Sequence, residues 1–537
     1  MKKIHLFLFA LGVFLIAEFF NFYYKAKYRN SLLGSPIATS QSPLVAPNKV
    51  GLIMNMIQLR YVDSVNNKTL EDKVIPHILE ELDPHCAYFE QDQFKDVDDE
   101  MKGNFGGIGV QFRIENDTVM IVDVVSGGPS QKLGLIGGDR IVSVNDSVIA
   151  GNGVTNKDVL RLLKGKIGTE VSVGVKRRGF DKLISFDITR GEIPLYSVDV
   201  SYMLNDTTGY IKVGRFAITT YDEFMKGLDE LHKSGAKQFV VDLRGNPGGV
   251  LGIVAEMANE FLHKGDMIVY TKGRTQPSQN FVAKRNGMYV DEKLVVLIDE
   301  YSASASEIFA GAIQDNDRGT IIGRRSFGKG LVQEQIPFGD GSALRLTVAR
   351  YYTPSGRCIQ KPYDKGLDEY NMDIYNRIKH GELEEKDSIA VADTVQYFTR
   401  SGRVVHGGGG IMPDVFVPAD TTGFSSLYAD VISKGLLFKY AFDYADKNRD
   451  DLKEIKDVDV LKAKFQKEKL FNKFLDYCKS NKVVVKSKDL KASGRILKTQ
   501  LWAYTARNIM GEKGFYQIIR DLDVTLKEAQ DVISEKK

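Results

Sequence analysis

A short run of serines at the start of a helix is the first place in this chain where residue types and spacing favour chemistry. In LIDEYSASASEIFAGAIQ, residues 297–314, an apolar strand ends at Asp299, and a loop containing Ser302, Ser304 and Ser306 opens a helix. The first N–H groups of a helix have no partner within it, so they can stabilise an oxyanion beside a nucleophilic serine. The alternative is that one of these serines only caps the helix.

A glycine-rich turn offers a second set of backbone N–H groups. In FVVDLRGNPGGVLG, residues 239–252, a buried strand runs into the turn and then into a helix. Glycine lets the backbone turn sharply and approach a ligand closely. The segment therefore predicts an anion-accepting turn, with an ordinary strand–helix connection as the alternative.

The segment GRRSFGKGLVQEQIPF, residues 323–338, has to be compared with a nucleotide-binding loop. Gly323, Gly328 and Lys329 nearly match the GxxxxGK[ST] pattern of a P-loop. However, Gly330 stands where Ser or Thr should bind magnesium, and the following LVQEQIP runs to a proline and does not resemble the helix that a P-loop opens. The pattern disfavours an NTPase, and a lone surface lysine is the remaining alternative.

No histidine is placed to activate a serine. None of the seven lies in a small-residue loop or shows HExxH-type metal spacing: His5, His77, His85, His232, His263, His380 and His406. A lysine can take a serine proton if its amine is neutral, which requires burial to lower the pKa from about 10.4. Lys329 has glycine and apolar neighbours that suit burial, and the neutral amide of Gln333 can orient the amine without restoring its charge.

Four segments together resemble a known family. SASASEI, FGKGLVQ, DLRGNPGG and the pair LDPHCAYF…GNFGGIGV are similar, in order and spacing, to the carboxy-terminal processing proteases, also called tail-specific proteases. The resemblance covers residues 50–420. It implies that Ser304, the middle serine of the loop, is the nucleophile, that Lys329 is the general base, and that Gln333 orients the lysine.

The resemblance also implies an oxyanion hole. Its two backbone N–H groups would belong to Ala305, directly after the nucleophile, and to Gly249, the last glycine of NPGG. The chain departs from the family at Gly245, where the family often has Asn, but this position carries no catalytic group. No metal or organic cofactor is implied.

Residues 98–190 have the pattern of a compact module of short strands and two helices. GGIGVQFRIENDTVMIVDVV predicts two strands joined by a turn at Asn116–Asp117. By resemblance the module is a PDZ domain that also gates the active site: FGGIGV would bind a chain terminus, the next strand would pair with an extended peptide, and a helix near Asp158–Leu163 would wall the groove. The residues predicted around the peptide are Gly107, Ile108, Gly109, Val110, Val159 and Leu162. The alternative is a strand module with a purely structural role.

The whole chain is predicted to be a multidomain α/β (α+β) protein. Apolar strands alternate with amphipathic helices in the peptidase region, which is typical of a layered α/β core with largely parallel strands, by resemblance of the ClpP/crotonase type. The predicted domains are an N-terminal helical segment at 48–97, an inserted PDZ domain at 98–190, a serine peptidase core at 191–424 with a charged insertion at 362–400, and a C-terminal helical extension at 425–537.

The N-terminus predicts export. A basic start, MKK, precedes an apolar run from Ile4 to Phe20. This pattern is typical of a signal peptide or signal anchor at residues 1–24, followed by a Ser/Pro-rich linker at 25–47. An anchor is favoured because no small-x-small cleavage site is evident. We therefore expect a periplasmic or cell-envelope protein with an inner-membrane tether.

Composition excludes other classes. The 537 residues carry 73 basic and 70 acidic side chains, a net charge of +3, which argues against nucleic-acid binding. The three cysteines, Cys86, Cys358 and Cys478, are too few and too far apart for a disulfide framework or a metal site.

The expected function is a serine endopeptidase that cleaves near the C-terminus of protein substrates, whose free, apolar C-terminal ends the PDZ domain captures. The alternative is a non-catalytic PDZ-containing binding scaffold, against which the presence of Ser304, Lys329 and Gln333 argues. Adaptor or oligomer partners are expected at the helices of residues 425–537.

Overall fold

The computed structural model describes residues 48–389 and 395–534. The predicted signal segment and linker, and residues 390–394 of the charged insertion, lie outside the described residues. Within the described ranges, no helix is both long enough and apolar enough to cross a membrane. The chain divides after Val74 into two compact units, and every element of the site described below belongs to the second.

Two helices begin the described chain: α1 (Lys49–Arg60) and α2 (Asn67–Glu80). Each starts beside an asparagine whose side chain accepts a hydrogen bond from an N–H of the first turn. Asn48 accepts from Val50 at 3.2 Å, and Asn66 accepts from Thr69 at 3.3 Å. Both bonds satisfy N–H groups that a helix leaves without an internal partner.

The module predicted to be a PDZ domain is an antiparallel sheet inserted between paired entry and exit strands. Its region contains β1 (Ala87–Phe89), α3 (Gln91–Lys102), β2 (Asn104–Gly107), β3 (Val110–Glu115), β4 (Thr118–Val124), α4 (Pro129–Lys132), β5 (Arg140–Val144), β6 (Ser147–Val148), α5 (Asn156–Leu163), β7 (Glu170–Lys176), β8 (Ile184–Thr189) and β9 (Gly191–Pro194). The strand order is β3-β4-β5-β7-β8, with β6 paired to β5, while β2 pairs with β9. Asn116 (φ 48°) and Asp117 (φ 53°) form the turn between β3 and β4 that the sequence predicted.

The region predicted to be the peptidase core is built on a six-stranded, mostly parallel sheet. Its elements are β10 (Val198–Met203), β11 (Thr208–Val213), α6 (Thr220–Lys233), β12 (Gln238–Asp242), α7 (Leu251–Asn259), β13 (Met267–Gly273), β14 (Gln279–Val282), β15 (Lys293–Ile298), α8 (Ala305–Asp315), β16 (Thr320–Gly323), β17 (Leu331–Pro337), β18 (Ala343–Tyr352), α9 (Leu367–Asn371), α10 (Asp373–Lys379), β19 (Gln396–Phe398), β20 (Val404–His406) and β21 (Val415–Phe416). The order is β10-β11-β12-β15-β16-β21, and only β10 runs antiparallel to its neighbour. The layered α/β core predicted from the sequence is confirmed.

The two faces of this sheet bury different partners, because successive strand residues point to opposite sides. Phe239 and Val241 of β12 lie in one hydrophobic core with Phe309 of α8. Val240, between them, lies in a second core on the other face, with Leu526 from the C-terminal part of the chain. The C-terminal region therefore covers one face of the peptidase sheet.

A second, antiparallel sheet carries the strand that follows Lys329. β18 pairs with β1, β13 and β17, and β14 pairs with β13. Arg345 of β18 is the register partner of both Ala87 in β1 and Gln335 in β17. One strand thus fixes the positions of two segments that are far apart in the sequence.

The C-terminal extension has a core of its own and contacts the PDZ domain. Its helices are α11 (Ser426–Ser433), α12 (Leu436–Lys447), α13 (Arg449–Leu452), α14 (Val458–Lys467), α15 (Leu470–Ser480), α16 (Ser487–Ile519), which is interrupted at Gly511, and α17 (Val524–Ser534). The guanidinium of Arg113 in β3 lies 4.3 Å from the ring centre of Phe442 in α12. Glu115 of β3 forms an ion pair with Lys439 at 3.3 Å.

Candidate active site

The SASAS loop places its three serines in different environments. Ser302 and Ser306 are fully buried, and their hydroxyls donate to the carbonyls of Leu243 (2.8 Å) and Asn246 (2.9 Å). Ser304 is partly exposed and lines a cavity at the N-terminus of α8. Its backbone has φ 56°, a region that residues other than glycine seldom adopt. Ser304 therefore faces the cavity, whereas Ser302 and Ser306 are buried in the protein core.

The NPGG turn lies against this serine. Gly248 has φ 104°, and a Cβ added to it would lie 2.7 Å from the Cβ of Ser304, so the close approach requires glycine. The N–H of Gly248 donates to the side-chain oxygen of Asn246 at 2.8 Å. The N–H groups of Gly249 and Ala305 donate to no group of residues 48–389 or 395–534. The two N–H groups predicted for the oxyanion hole thus have no hydrogen-bond partner within the described residues, and Gly249 and Ala305 both line the cavity.

Lys329 faces the same cavity from the loop before β17. Its amine donates to the side-chain oxygen of Gln333 at 3.1 Å. Burial, with a further contribution from the guanidinium of Arg345, lowers the pKa of Lys329 to about 8. In the described part of the chain no hydrogen bond joins this amine to the Ser304 hydroxyl, although both residues line the cavity.

The cavity has a volume of about 920 Å³. Beyond the residues already named, its walls include the apolar side chains of Ile308 and Leu331 and, from the helix that leads into the PDZ domain, Met101. This volume lies within the range of protein ligand pockets, which is roughly 300–1,000 Å³. Across the described chain, no group of three or more His, Cys, Asp or Glu side chains is arranged to hold a metal ion.

Glu307 links the SASAS loop to the loop that carries Lys329, and the sequence prediction missed it. Its buried carboxylate accepts hydrogen bonds from the N–H groups of Ser304 (2.8 Å), Gly328 (2.7 Å) and Lys329 (2.9 Å), and from the Ser326 hydroxyl. Burial raises its pKa to about 7, although the four donors oppose this shift. The available signal was the Ser-x-x-Glu spacing of a capping box, which places a glutamate three residues after the N-cap.

A tyrosine and a histidine were missed as well. The hydroxyl of Tyr351 donates to the carbonyls of Ser304 and Lys329, so it bridges the same two loops. The carbonyl of His85 accepts a hydrogen bond from the side-chain nitrogen of Gln333 at 2.6 Å. No sequence signal pairs His85 with Gln333, because the two residues are 248 positions apart.

The predicted peptide-binding residues lie together in the PDZ domain, and none of them lines the cavity among the residues described. Ile108 is 2% exposed and Val159 is 0% exposed, and both belong to the PDZ hydrophobic core. Val110 and Leu162 are partly exposed and pack against that core. Gly107 pairs with β9, and the residues that offer side-chain surface to a ligand are therefore Val110 and Leu162. The remaining predicted residue, Gly109, has φ 76°.

Comparisons with known proteins agree with this architecture. A model of peptidase family S41 matches residues 207–368, and a PDZ domain model matches residues 106–188. The carboxy-terminal-processing protease of Bartonella bacilliformis is 37% identical over 317 residues, which cover 58% of this chain and 72% of that relative. The chain belongs to the carboxy-terminal processing proteases.

Further similarities extend over the same region of this protease. The carboxy-terminal processing protease CtpB of Bacillus subtilis is 34% identical over 326 residues, covering 60% of this chain and 67% of that relative. The solved structure of the photosystem II D1 C-terminal processing protease covers 68% of this chain and 86% of its own, with 24% identity and a TM-score of 0.36. A family of unknown function matches residues 427–511.

The family assignment confirms the predicted resemblance and the predicted enzyme class. The protease is a serine-type endopeptidase of family S41 with a PDZ domain. PDZ domains bind extended peptides at an unpaired strand edge, and β3 pairs with β4 but with no other strand of the described residues. Protein or peptide chains are accordingly the class of substrate that this protease binds.

Proposed function

We propose that Ser304 is the nucleophile of this endopeptidase and that Lys329 is its general base. The observation that carries the proposal is the lysine amine, which burial holds near a pKa of 8 in the cavity that Ser304 also lines. A base with a pKa near the working pH has a substantial neutral fraction and still forms a stable conjugate acid. Gln333 orients this amine through its side-chain oxygen without adding a charge.

We propose further that the N–H groups of Gly249 and Ala305 form the oxyanion hole. Their lack of partners within the described chain supports this assignment, whereas the N–H of Gly248 is already bonded to Asn246. Donors that are in position before the reaction need no reorganisation when the oxyanion forms.

The reaction follows from these roles. Neutral Lys329 accepts the proton of the Ser304 hydroxyl while the oxygen bonds to the scissile carbonyl carbon, and the two N–H groups donate to the new oxyanion. Collapse of this intermediate breaks the peptide bond. The leaving amine takes the proton from Lys329, and an acyl group remains on Ser304. Lys329 then deprotonates a water, which attacks the acyl carbon. Collapse of this second intermediate breaks the bond to the Ser304 oxygen, which takes the proton back from Lys329, and the new C-terminus is released.

We also propose that the PDZ domain captures a free, apolar C-terminus, with the peptide paired to β3 beside Val110 and Leu162. The unpaired edge of β3 and the partly exposed side chains of these two residues support this proposal. Capture at the terminus would direct cleavage to sites near the C-terminal end of a protein.

The test compares S304A and K329A with a surface control, K233A, at the end of α6. Cleavage of a peptide with an apolar C-terminus should fall at least about 1000-fold in both active-site variants, because each loses a step of covalent catalysis. Binding of the same peptide should stay unchanged in all three. Turnover by K329A at the wild-type level would contradict the assigned base.

For location, we propose that residues 1–24 direct export and tether the protease to the inner membrane, with its catalytic domains in the periplasm or cell envelope. The basic start and the apolar run of the sequence support this proposal. Cell fractionation of the full chain and of a variant lacking residues 2–24 tests it. The full chain should sediment with membranes and be digested by protease added to spheroplasts. Recovery of the full chain from the cytoplasm would contradict the proposal.

A further inference from the structure

The amide of Gln333 can face Lys329 in two ways, and only one of them suits a base. With its oxygen towards the lysine, the amide accepts a hydrogen from the amine and leaves the nitrogen lone pair free. With its NH₂ group towards the lysine, the amide would donate to that lone pair and occupy the site that must accept the serine proton. The orientation of one neutral side chain therefore decides whether the lysine is competent.

A backbone carbonyl sets this orientation. The side-chain nitrogen of Gln333 donates to the carbonyl of His85 at 2.6 Å. A carbonyl oxygen accepts but cannot donate, so only the NH₂ end of the amide is stable beside it. The oxygen end then points to the Lys329 amine, at 3.1 Å.

The carbonyl of His85 belongs to a turn that Asp83 holds in shape. Asp83 is buried, and one carboxylate oxygen accepts from the N–H groups of His85 (2.8 Å) and Cys86 (3.0 Å). Its other oxygen accepts from the Cys86 thiol at 3.1 Å. The turn leads directly into β1, whose Ala87 pairs with Arg345 of β18.

The ring of His85 supplies a second anchor. It is hydrogen-bonded to the hydroxyl of Tyr370, at 2.7 Å, from the insertion after β18. Burial, and next the charge of Lys329, lower the pKa of His85 to about 4. The ring is therefore neutral near pH 7, and it places no positive charge beside the base.

We propose that the turn formed by residues 83–86 is a positioning element for the general base. Its His85 carbonyl holds the Gln333 amide with the oxygen towards Lys329, which keeps the amine lone pair available to the Ser304 hydroxyl. Asp83 is a positioning residue, since it acts through the turn and touches neither substrate nor reacting atoms. The inference rests on the catalytic roles proposed above for Ser304, Lys329 and Gln333.

The test is a double-mutant cycle between Asp83 and Gln333, measured as kcat and KM on a peptide with an apolar C-terminus. D83A removes the acceptor that holds the turn. We expect kcat to fall about 10- to 100-fold with KM within about twofold, because the base loses alignment while the peptide-binding surface is intact. D83N keeps a side-chain oxygen acceptor and should recover most of the lost kcat. In the Q333A background, D83A should cause no further loss.

The pH profile separates positioning from charge. The charged or titratable groups that act on Lys329 are Asp83, Arg345 and Glu307, with His85 beside them. Removing the Asp83 carboxylate lowers the pKa of Lys329, because Asp83 favours the ammonium form. That change alone would raise activity on the acid side. If the turn positions the base, D83A should show two changes in its pH profile. The value of kcat on the alkaline plateau should fall, and the acid side of the profile should move to lower pH. Loss of the charge alone would cause only the second change.

N205A is the matched control. Asn205 holds the turn between β10 and β11 in a similar way, by accepting from the N–H groups of Thr207 (3.0 Å) and Thr208 (2.9 Å). Its kcat should stay within about twofold of wild type, because this turn carries no catalytic group. If thermal unfolding shows that D83A does not fold, Y370F replaces it in the double-mutant cycle. We expect Y370F to lower kcat by about 2- to 10-fold, and we expect no such loss when Y370F is made in the Q333A background.

The outcomes are distinct. An equal loss from D83A in both backgrounds, or no loss in the wild-type background, overturns the role of the turn. Wild-type kcat in the Q333A single variant instead overturns the proposed role of Gln333 itself. Wild-type activity in K329A would contradict the proposed role of Lys329 as the base. K329A is therefore assayed before the double-mutant cycle is carried out.

Discussion

The pH dependence of catalysis gives the sharpest test of the proposed base. Lys329 has its pKa lowered from 10.5 to about 8, with burial as the larger cause and the Arg345 guanidinium as the next. The active form is the neutral amine, so kcat/KM should rise with pH and level off above the pKa. At a pKa of about 8, roughly one tenth of the amines are neutral at pH 7 and roughly one hundredth at pH 6. Wild-type kcat/KM should therefore fall about tenfold per pH unit below pH 7.

Replacing Arg345 should shift the acid limb, the part of the pH profile in which kcat/KM rises with pH, in a known direction. R345Q removes a positive charge that disfavours the ammonium form, so the pKa of Lys329 should rise and the acid limb should shift to higher pH. Activity at pH 7 should fall, and it should return on the alkaline plateau. R345K keeps the charge and is the matched control, with a limb near that of wild type. The quantity compared is the pH of half-maximal kcat/KM, because Arg345 also lines the cavity and its loss can change KM.

Glu307 is the other group that titrates close to this range, with its pKa raised to about 7. E307Q removes that titration and keeps a side-chain oxygen acceptor, so an acid limb that persists in E307Q belongs to Lys329. The reasoning is refuted if the limb disappears in E307Q, if it lies near pH 10 in the wild type, or if R345Q shifts it to lower pH.

Three further variants test the packing around the site. E307A leaves four buried donors without an acceptor and should lower the free energy of unfolding by about 3–5 kcal/mol, as chemical denaturation would measure. G248A forces a Cβ to within 2.7 Å of the Ser304 Cβ, so kcat should fall more than about 100-fold while peptide binding is retained; normal turnover would contradict this close approach. F442A removes a nearly buried ring beside Arg113 and should lower the free energy of unfolding by about 3 kcal/mol. It should also make the link between the PDZ domain and the C-terminal extension sensitive to limited proteolysis. An unchanged digestion pattern would contradict the contact.

The local parts of the fold were predictable because their signals are local. Alternating apolar strands and amphipathic helices predicted the parallel core, and two turn-forming residues at Asn116 and Asp117 predicted the hairpin of the PDZ domain. The segment after Lys329 was expected not to form the helix that a P-loop requires, and LVQEQIP forms strand β17. In each case the conformation follows from neighbours within a few residues.

The contacts of the C-terminal extension were not predictable. Residues after 425 have a helical pattern, which indicates amphipathic helices but not the surface that each one covers. The structure places Leu526 of α17 against the peptidase sheet and Phe442 of α12 against the PDZ domain. Both packing contacts depend on the path that the chain takes over hundreds of residues.

What the sequence determined by itself is the chemistry that this protein carries: a serine at a helix start, a lysine among glycines, a neutral amide four residues later, and the family to which their order belongs. Tertiary structure alone decided which of the three serines faces open space, that Glu307 joins the two loops, and that the carbonyl of His85 meets the amide of Gln333 across 248 residues. The reason is that side-chain identity and periodicity are local properties. Burial and hydrogen-bond partners arise only when β18 brings distant segments into register.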